Sequence, residues 1–214
     1  MPPSRATKAP PKQAVPAAGS ARERLIAAAI ATVRYKGFSA TSVDEICQAA
    51  GVTKGAFFHH FASKEALAVE AAGAWTEIAE QRIFTQPDWT RIADPLERLL
   101  GHIDFRLSMI DGPAEDFTCF VGTMVQESYN SSDPIRAACD ASLHAYALRL
   151  AEDIQQAIDI YGIASGVSAV SLAFHIQAVL QGAFILAKAN GNPVIARDSV
   201  MHLKRYVVML FTQN

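Results

Sequence analysis

The segment from residue 41 to residue 67 constrains the fold of this 214-residue chain more than any other segment does. A short helix is predicted to begin at Thr41 or Ser42 and to end at Gly51, and a second short helix runs from about Thr53 to His60. The apolar contacts between these two helices are predicted to come from Ile46, Ala50, Val52 and Phe57. Two helices joined by so short a turn form a helix-turn-helix.

The rest of the chain also has the helical period. One helix is predicted from Ala21 to the Lys36-Gly37 stop, and another from the Ser63 cap toward Gln81. Further helices are predicted at about 92–110, 114–129, 134–160, 166–189 and 195–212. No segment has a convincing strand pattern. The sequence therefore predicts an all-α fold, with a three-helix helix-turn-helix domain over residues 21–67 and a larger helical domain over residues 68–214.

Positive charge is concentrated at the N-terminal end of the chain. Residues 1–64 contain nine Lys or Arg and three acidic residues, a net charge of +6, whereas residues 65–214 contain ten and eighteen, a net charge of −8. Residues 1–20 are rich in Pro and Ala and have no periodicity, which is typical of a disordered basic tail. This tail either contacts DNA or has no role in binding. A basic module on an acidic body favours phosphate binding by the first module alone.

The second helix of the helix-turn-helix is predicted to be the recognition helix. Its first residues, from Thr53 to Ala56, are short, polar or cationic, so the backbone can approach the major groove closely. Lys54 is long enough to reach a phosphate or a guanine edge. The helices that begin near Ser42 and Lys64 would direct free N–H groups toward phosphates.

The stretch from Arg24 to Leu67 resembles the N-terminal domain of the TetR/AcrR family. The residues that carry the resemblance are Phe38 after a glycine, Thr41, Ile46, Ala50-Gly51-Val52, Lys54-Gly55, the aromatic pair, Phe61 and Lys64-Glu65. The resemblance implies a DNA-binding regulator whose DNA-facing residues are Thr41 or Ser42, Thr53, Lys54, Gly55, Phe58, His59, His60 and Lys64. Phe58 departs from the pattern, since the family usually has a tyrosine whose hydroxyl binds a phosphate.

Several of these residues also have a purely structural interpretation. Phe57 and Phe61, spaced i, i+4, favour the domain core over DNA contact. Lys64 has a solvated surface charge as its alternative. Adjacent residues on a helix point about 100° apart, so His59 and His60 do not form a metal pair.

The resemblance implies that the second domain binds a small molecule and forms a homodimer. The predicted cavity residues are aromatic, thioether and amide side chains: Phe105, Met109, Phe117, Phe120, Met124, Tyr146, Phe174, Gln177 and Gln181. The predicted dimer interface consists of helices 166–189 and 195–212, the latter with an apolar stripe of Val200, Leu203, Val207 and Leu210. Ordinary core packing is the alternative for each of these residues.

Other classes of protein have less support. The three cysteines are far apart, Cys47 is predicted to be a packing residue, and no metal, cofactor or catalytic motif is recognisable. Ile160 to Ala187 has no charged residue, but its glycines, glutamines and histidine favour a buried helix over a membrane span. The sequence predicts a cytoplasmic homodimeric repressor that a small molecule releases from a palindromic double-stranded operator. A DNA-binding protein without ligand control and an enzyme remain the alternatives.

Overall fold

The computed structural model describes residues 19–85, 88–163 and 166–212, and these residues are mainly helical and contain no strand. The N-terminal helices are Ala21–Lys36 (α1), Val43–Ala50 (α2), Lys54–His60 (α3) and Lys64–Ala79 (α4). A π-helical segment, Glu80–Thr85, extends α4, and a 3-10 turn follows at Asp88–Arg91. The remaining helices are Pro95–Ser108 (α5), Ala114–Phe117 (α6), Phe120–Ser128 (α7), Asp133–Tyr161 (α8), Ala169–Asn190 (α9) and Val194–Thr212 (α10). The all-α prediction is confirmed. Most of the predicted tail lies outside the described residues.

The helix predicted over residues 114–129 is two helices in the structure. The backbone of Thr118 is extended, with φ −81° and ψ 159°, and it separates α6 from α7. Cys119 then caps α7, since its Sγ accepts a hydrogen bond from the backbone N–H of Gly122 at 3.4 Å. Cysteine is a weak acceptor and an uncommon cap, so the sequence carried no local signal for this break.

Two apolar clusters involve the helix-turn-helix, and the second of them connects it to the body. The first lies within α1 to α4 and comprises Leu25, Ala28, Ala29, Ile46, Cys47, Ala50, Phe57, Phe61 and Leu67. The second joins α1 and α4 to α7 and α8 and comprises Ile30, Val33, Ala68, Ala71, Ala72, Phe120, Val121, Met124, Ile135 and Cys139. The predicted domain boundary after residue 67 therefore falls inside α4, and α4 contributes to both clusters.

The body has its own core, in which α9 packs against α8 and α10. The predicted interface stripe of α10 belongs to this core, and Val207 is 0% exposed. The prediction that these residues face a partner subunit is wrong, because this apolar stripe of α10 packs in the body core, where α10 contacts α9 of the same subunit. The exposed apolar residues of α9 and α10 are instead Val170, Ile185, Leu186, Val194, Met201, Tyr206, Val208 and Met209.

Candidate DNA-contacting surface and ligand cavity

Local capping fixes the directions of α2 and α3. Ser42 caps α2 in a reciprocal capping box with Glu45, and Gly51 ends the helix in the left-handed conformation at φ 63°. The hydroxyl of Thr53 caps α3 by accepting a hydrogen bond from the N–H of Ala56 at 3.1 Å. These caps satisfy backbone donors on either side of the turn, so the short recognition helix begins at a defined place.

Most of the sequence-predicted DNA residues form one exposed surface around α3. Ser42, Thr53, Lys54, Gly55, Phe58 and His59 are exposed, and His60 is half-buried. The ring of Phe58 is 53% exposed, and it meets buried Phe57 edge-on with ring centroids 5.1 Å apart. Lys54 is free to move, because its only ion pair is an exposed contact of 2.9 Å with Asp44 among the described residues.

Thr41 is buried and Lys64 is half-buried, and both are held by contacts within the domain. Thr41 is 1% exposed and donates its hydroxyl to the carbonyl of Gly37 at 2.7 Å. The ammonium of Lys64 donates to the carbonyls of Phe38 and Thr41 at 3.0 and 2.9 Å and lies 4.2 Å from the centroid of the Phe38 ring. Burial lowers the pKa of Lys64. Both side chains therefore hold the turn between α1 and α2 against the start of α4.

The same turn is tied to the body of the protein. The carboxylate of Glu127, on α7, accepts hydrogen bonds from the backbone N–H groups of Phe38 and Ser39 at 3.2 and 2.7 Å. A second tie comes from Arg34 of α1, whose Nε donates to the carbonyl of Thr118 at 2.9 Å. The α6–α7 region thus touches the helix-turn-helix at two points.

A cavity of about 100 Å³ lies between these elements. Its walls come from α4, the π-helical segment, α5 and the following Met109, α8 and α9, from Asp116 to Cys119, and from Val121. Arg34 also lines it and is the only wall residue that α1 contributes among the described residues. Burial lowers the pKa of Arg34 to about 10, which leaves it charged at neutral pH. A cavity wall therefore includes a charged group that belongs to the DNA-binding domain.

The structure brings five of the sequence-predicted cavity residues together: Met109, Phe117, Tyr146, Gln177 and Gln181. The other four lie elsewhere. Phe120 and Met124 point into the cluster between the two domains, because the break at Thr118 turns α7 toward α1 and α4. Phe105 packs on the outside of the body core, and Phe174 meets His144 with ring centroids 4.9 Å apart.

Sequence reasoning missed much of the cavity wall. The residues it missed include Trp75 of α4, Phe84 of the π-helical segment, and the arginines Arg34, Arg82 and Arg106. The sequence does offer a signal for Trp75. A tryptophan a few turns after the helix-turn-helix needs a large apolar environment, which a cavity wall provides. The arginines carry none, because arginines are ordinarily solvated.

His102 is buried and contacts Tyr146, which lines the cavity. The Nε2 of His102 is 2.8 Å from the hydroxyl oxygen of Tyr146, and its ring stacks on Phe84 with centroids 5.6 Å apart. Burial lowers the pKa of His102 to about 3, so it is neutral at physiological pH. His102 therefore orients the Tyr146 hydroxyl without adding charge to the site.

An exposed recognition helix on a capped helix-turn-helix, carried by a larger all-α body, defines a DNA-binding transcriptional regulator. Residues 25–71 match the family described as bacterial regulatory proteins, tetR family, and residues 95–203 match its tetracyclin repressor-like C-terminal domain. The chain belongs to the TetR/AcrR family. Regulators of this family bind DNA operators, act as dimers and are soluble cytoplasmic proteins.

Relatives with transcriptional roles span most of the chain. The chain is 26% identical to the HTH-type transcriptional regulator LmrA of Bacillus subtilis, over 83% of this chain and 92% of LmrA. It is 28% identical to the transcriptional regulator AcuR of Cereibacter sphaeroides, over 83% of this chain and 81% of AcuR. Both relatives are described as transcriptional regulators.

Solved structures share the fold at low sequence identity. A TetR-family regulator from Agrobacterium tumefaciens has a TM-score of 0.77 at 19% identity and covers 90% of this chain and 98% of its own. The reduced form of NemR from Escherichia coli has a TM-score of 0.73 at 22% identity, with coverages of 87% and 96%.

By length and composition α9 is apolar enough to cross a membrane, but its buried face packs in the body core. The described residues contain no group of three or more potential metal ligands.

Proposed function

We propose that this chain is a homodimeric, cytoplasmic repressor that releases a palindromic operator when a small molecule occupies the cavity. The observation that carries the proposal is that Arg34 of α1 lines the cavity and donates to the carbonyl of Thr118 at 2.9 Å. A ligand in this cavity therefore contacts the DNA-binding domain directly. The binding free energy of the ligand can then depend on the position of that domain relative to the body.

The same contacts give the coupling a mechanical route. A ligand that displaces the segment from Phe117 to Cys119 moves the start of α7, and Glu127 at the other end of α7 holds the turn after α1. The recognition helices of a dimer must stand about 34–36 Å apart to enter successive major grooves. A shift of a few ångströms at this turn is enough to misalign them.

The proposal is tested by measuring operator affinity with and without ligand. An operator is selected from random DNA with the purified protein, and fluorescence anisotropy then follows its release by small-molecule pools. We expect an active pool to weaken operator binding roughly 5- to 150-fold, the usual range of allosteric coupling. Operator binding that no pool relieves would favour a DNA-binding protein without ligand control, and absence of any DNA binding would exclude both.

Lys54 and Lys64 are expected to act in different ways. Lys54 is exposed on the recognition helix, so Lys54→Ala should weaken binding on all sequences and lower the slope of log affinity against log salt by about one. Lys64 donates to two part-buried carbonyls, so Lys64→Met should instead lower the free energy of unfolding by about 1–3 kcal/mol. Salt titration of operator binding and urea unfolding of both variants provide the comparison. A changed salt slope with normal stability for Lys64→Met would instead indicate that Lys64 contacts DNA.

Phe58→Tyr is expected to strengthen DNA binding. The exposed ring of Phe58 lies on the recognition helix, and a hydroxyl there restores the family's usual phosphate donor. The gain should be about 0.5–1.5 kcal/mol, the net value of one hydrogen bond. Anisotropy titrations on operator and on non-specific DNA should show the same gain, because the phosphate is present in both. Unchanged or weaker binding by a normally folded variant would mean that the ring does not lie beside a phosphate.

A further inference from the structure

The charges around the cavity are unequal. Its walls include three arginines, Arg34, Arg82 and Arg106, and two carboxylates, Glu80 and Asp116. Glu80 already faces Arg149 at 3.8 Å, and Asp116 is exposed. Neither Arg82 nor Arg106 forms an ion pair in the part of the chain that the structure describes. Arg82 is exposed as well, whereas Arg34 and Arg106 are half-buried, so the enclosed part of the cavity has an excess of positive charge.

Arg106 is the wall arginine whose buried Nε lacks a hydrogen-bond partner among the described residues. One of its terminal nitrogens contacts only the sulfur of Met109 at 3.6 Å, a weak acceptor, and its guanidinium carbon lies 5.8 Å from the centroid of the Phe184 ring. A buried guanidinium N–H without an acceptor is costly, and a planar carboxylate is the acceptor that fits it best.

A second buried donor lies on the same wall. Thr118 lines the cavity, and its hydroxyl is buried and has no hydrogen-bond partner among the described residues. The hydroxyl can donate to one carboxylate oxygen while Arg106 binds the other. By contrast, Arg34 already donates to the Thr118 carbonyl and lies 5.0 Å from the centroid of the Trp75 ring. Arg34 therefore has a carbonyl acceptor for its Nε, which Arg106 lacks among the described residues.

The remaining wall is aromatic and small. Trp75, Phe84, Phe117 and Phe184 line it, and Phe117 and Phe184 have ring centroids 5.9 Å apart. A volume of about 100 Å³ is close to what one ring occupies, since a cavity of roughly 150 Å³ in another protein binds benzene. The space beside Arg106 therefore suits a flat apolar body with a single ring or a short chain.

We propose that the cavity binds a small organic carboxylate with an aromatic or apolar body, and that Arg106 and the Thr118 hydroxyl hold its carboxylate. This inference rests on the proposed function, because it names the chemical class of the effector. The charge excess, the unpartnered donors and the aromatic wall all belong to one cavity, and no neutral ligand of this size satisfies the Arg106 guanidinium as a carboxylate does.

The test compares acids with their uncharged amides. Benzoate, phenylacetate and 3-phenylpropionate are titrated into the full-length protein by isothermal titration calorimetry, each beside its primary amide, which has nearly the same shape. We expect at least one carboxylate to bind about tenfold or more tightly than its amide, as a charge-assisted hydrogen bond implies. Fluorescence provides a second readout, since Trp75 is one of the two tryptophans and lines the cavity.

Variants then locate the charge. Arg106→Met should abolish the preference for the carboxylate and change the amide affinity less than about twofold. Arg136→Met is the control, because it removes one exposed charge from α8 without touching the cavity. Equal binding of acids and amides to the wild-type protein, binding of no member of the panel at millimolar concentration, or an unchanged preference in Arg106→Met would each overturn the inference.

Operator binding separates this inference from the proposed function. A carboxylate that binds through Arg106 and leaves operator affinity unchanged would support the anion site and refute ligand control. Release of the operator by a neutral compound, with no carboxylate bound, would support ligand control and refute the anion site.

Discussion

An Ile185→Asp variant is expected to sediment as a folded monomer and to lose most of its affinity for the operator. Ile185 is 46% exposed on α9, within the apolar surface that α9 and α10 leave uncovered in the single subunit. An aspartate buried against a partner would cost several kcal/mol through loss of its hydration. Operator affinity should fall roughly 100- to 10,000-fold, because a monomer loses the gain from binding two half-sites together.

The physical basis is the apolar area on this side of the molecule. Eight large apolar side chains of α9 and α10 are exposed, and His175 of α9 meets Tyr206 of α10 with ring centroids 5.2 Å apart, so the two helices present one continuous surface. A surface of this kind is rarely left in water. Regulators of this family act as dimers, so we expect the dimer interface of this chain on this surface.

The matched control is Leu148→Asp. Leu148 is 52% exposed on α8, outside α9 and α10, so the same charge there should leave sedimentation and operator affinity unchanged. Circular dichroism verifies that both variants are folded. A dimeric Ile185→Asp with normal DNA binding would place the interface elsewhere, and a monomeric Leu148→Asp would extend the interface to α8.

Gly37→Ala is expected to lower the free energy of unfolding by about 1–3 kcal/mol. Gly37 ends α1 at φ 93° and ψ 163°, a region of backbone conformation that only glycine adopts readily. An added Cβ there would also stand 2.3 Å from the Oε1 of Glu127. The Glu127 side chain would have to move, which would break its hydrogen bonds to Phe38 and Ser39.

Gly73→Ala provides the opposite outcome. Gly73 lies in α4, and a Cβ there would meet no atom within 4 Å. Alanine is the better helix former, so this variant should gain up to about 1 kcal/mol. Urea unfolding of the two variants measures the contrast at equal protein concentration. Equal stability of Gly37→Ala and the wild-type protein would mean that the Glu127 contact is not needed to hold the turn.

The sequence alone determined the helix-turn-helix and most of its surface. Helical period, the Ser42 and Thr53 caps and the left-handed Gly51 are local signals, and the structure realises each of them within a few residues. The exposure of Lys54 and Phe58 follows from the same period, because Phe57, which points about 100° away from Phe58, packs into the core. A motif whose residues lie close together in the sequence can therefore be predicted from local signals alone.

Only the tertiary structure decided which apolar residues face the cavity, the domain interface or the surface. Phe117, Phe120 and Val207 are all apolar residues at helical spacing, yet they lie in the cavity wall, the interdomain cluster and the body core. Periodicity shows that a helix has an apolar face but does not show which element will cover it. The same limit hid Arg34 and Arg106, since a charged side chain becomes a cavity residue only when distant helices close around it.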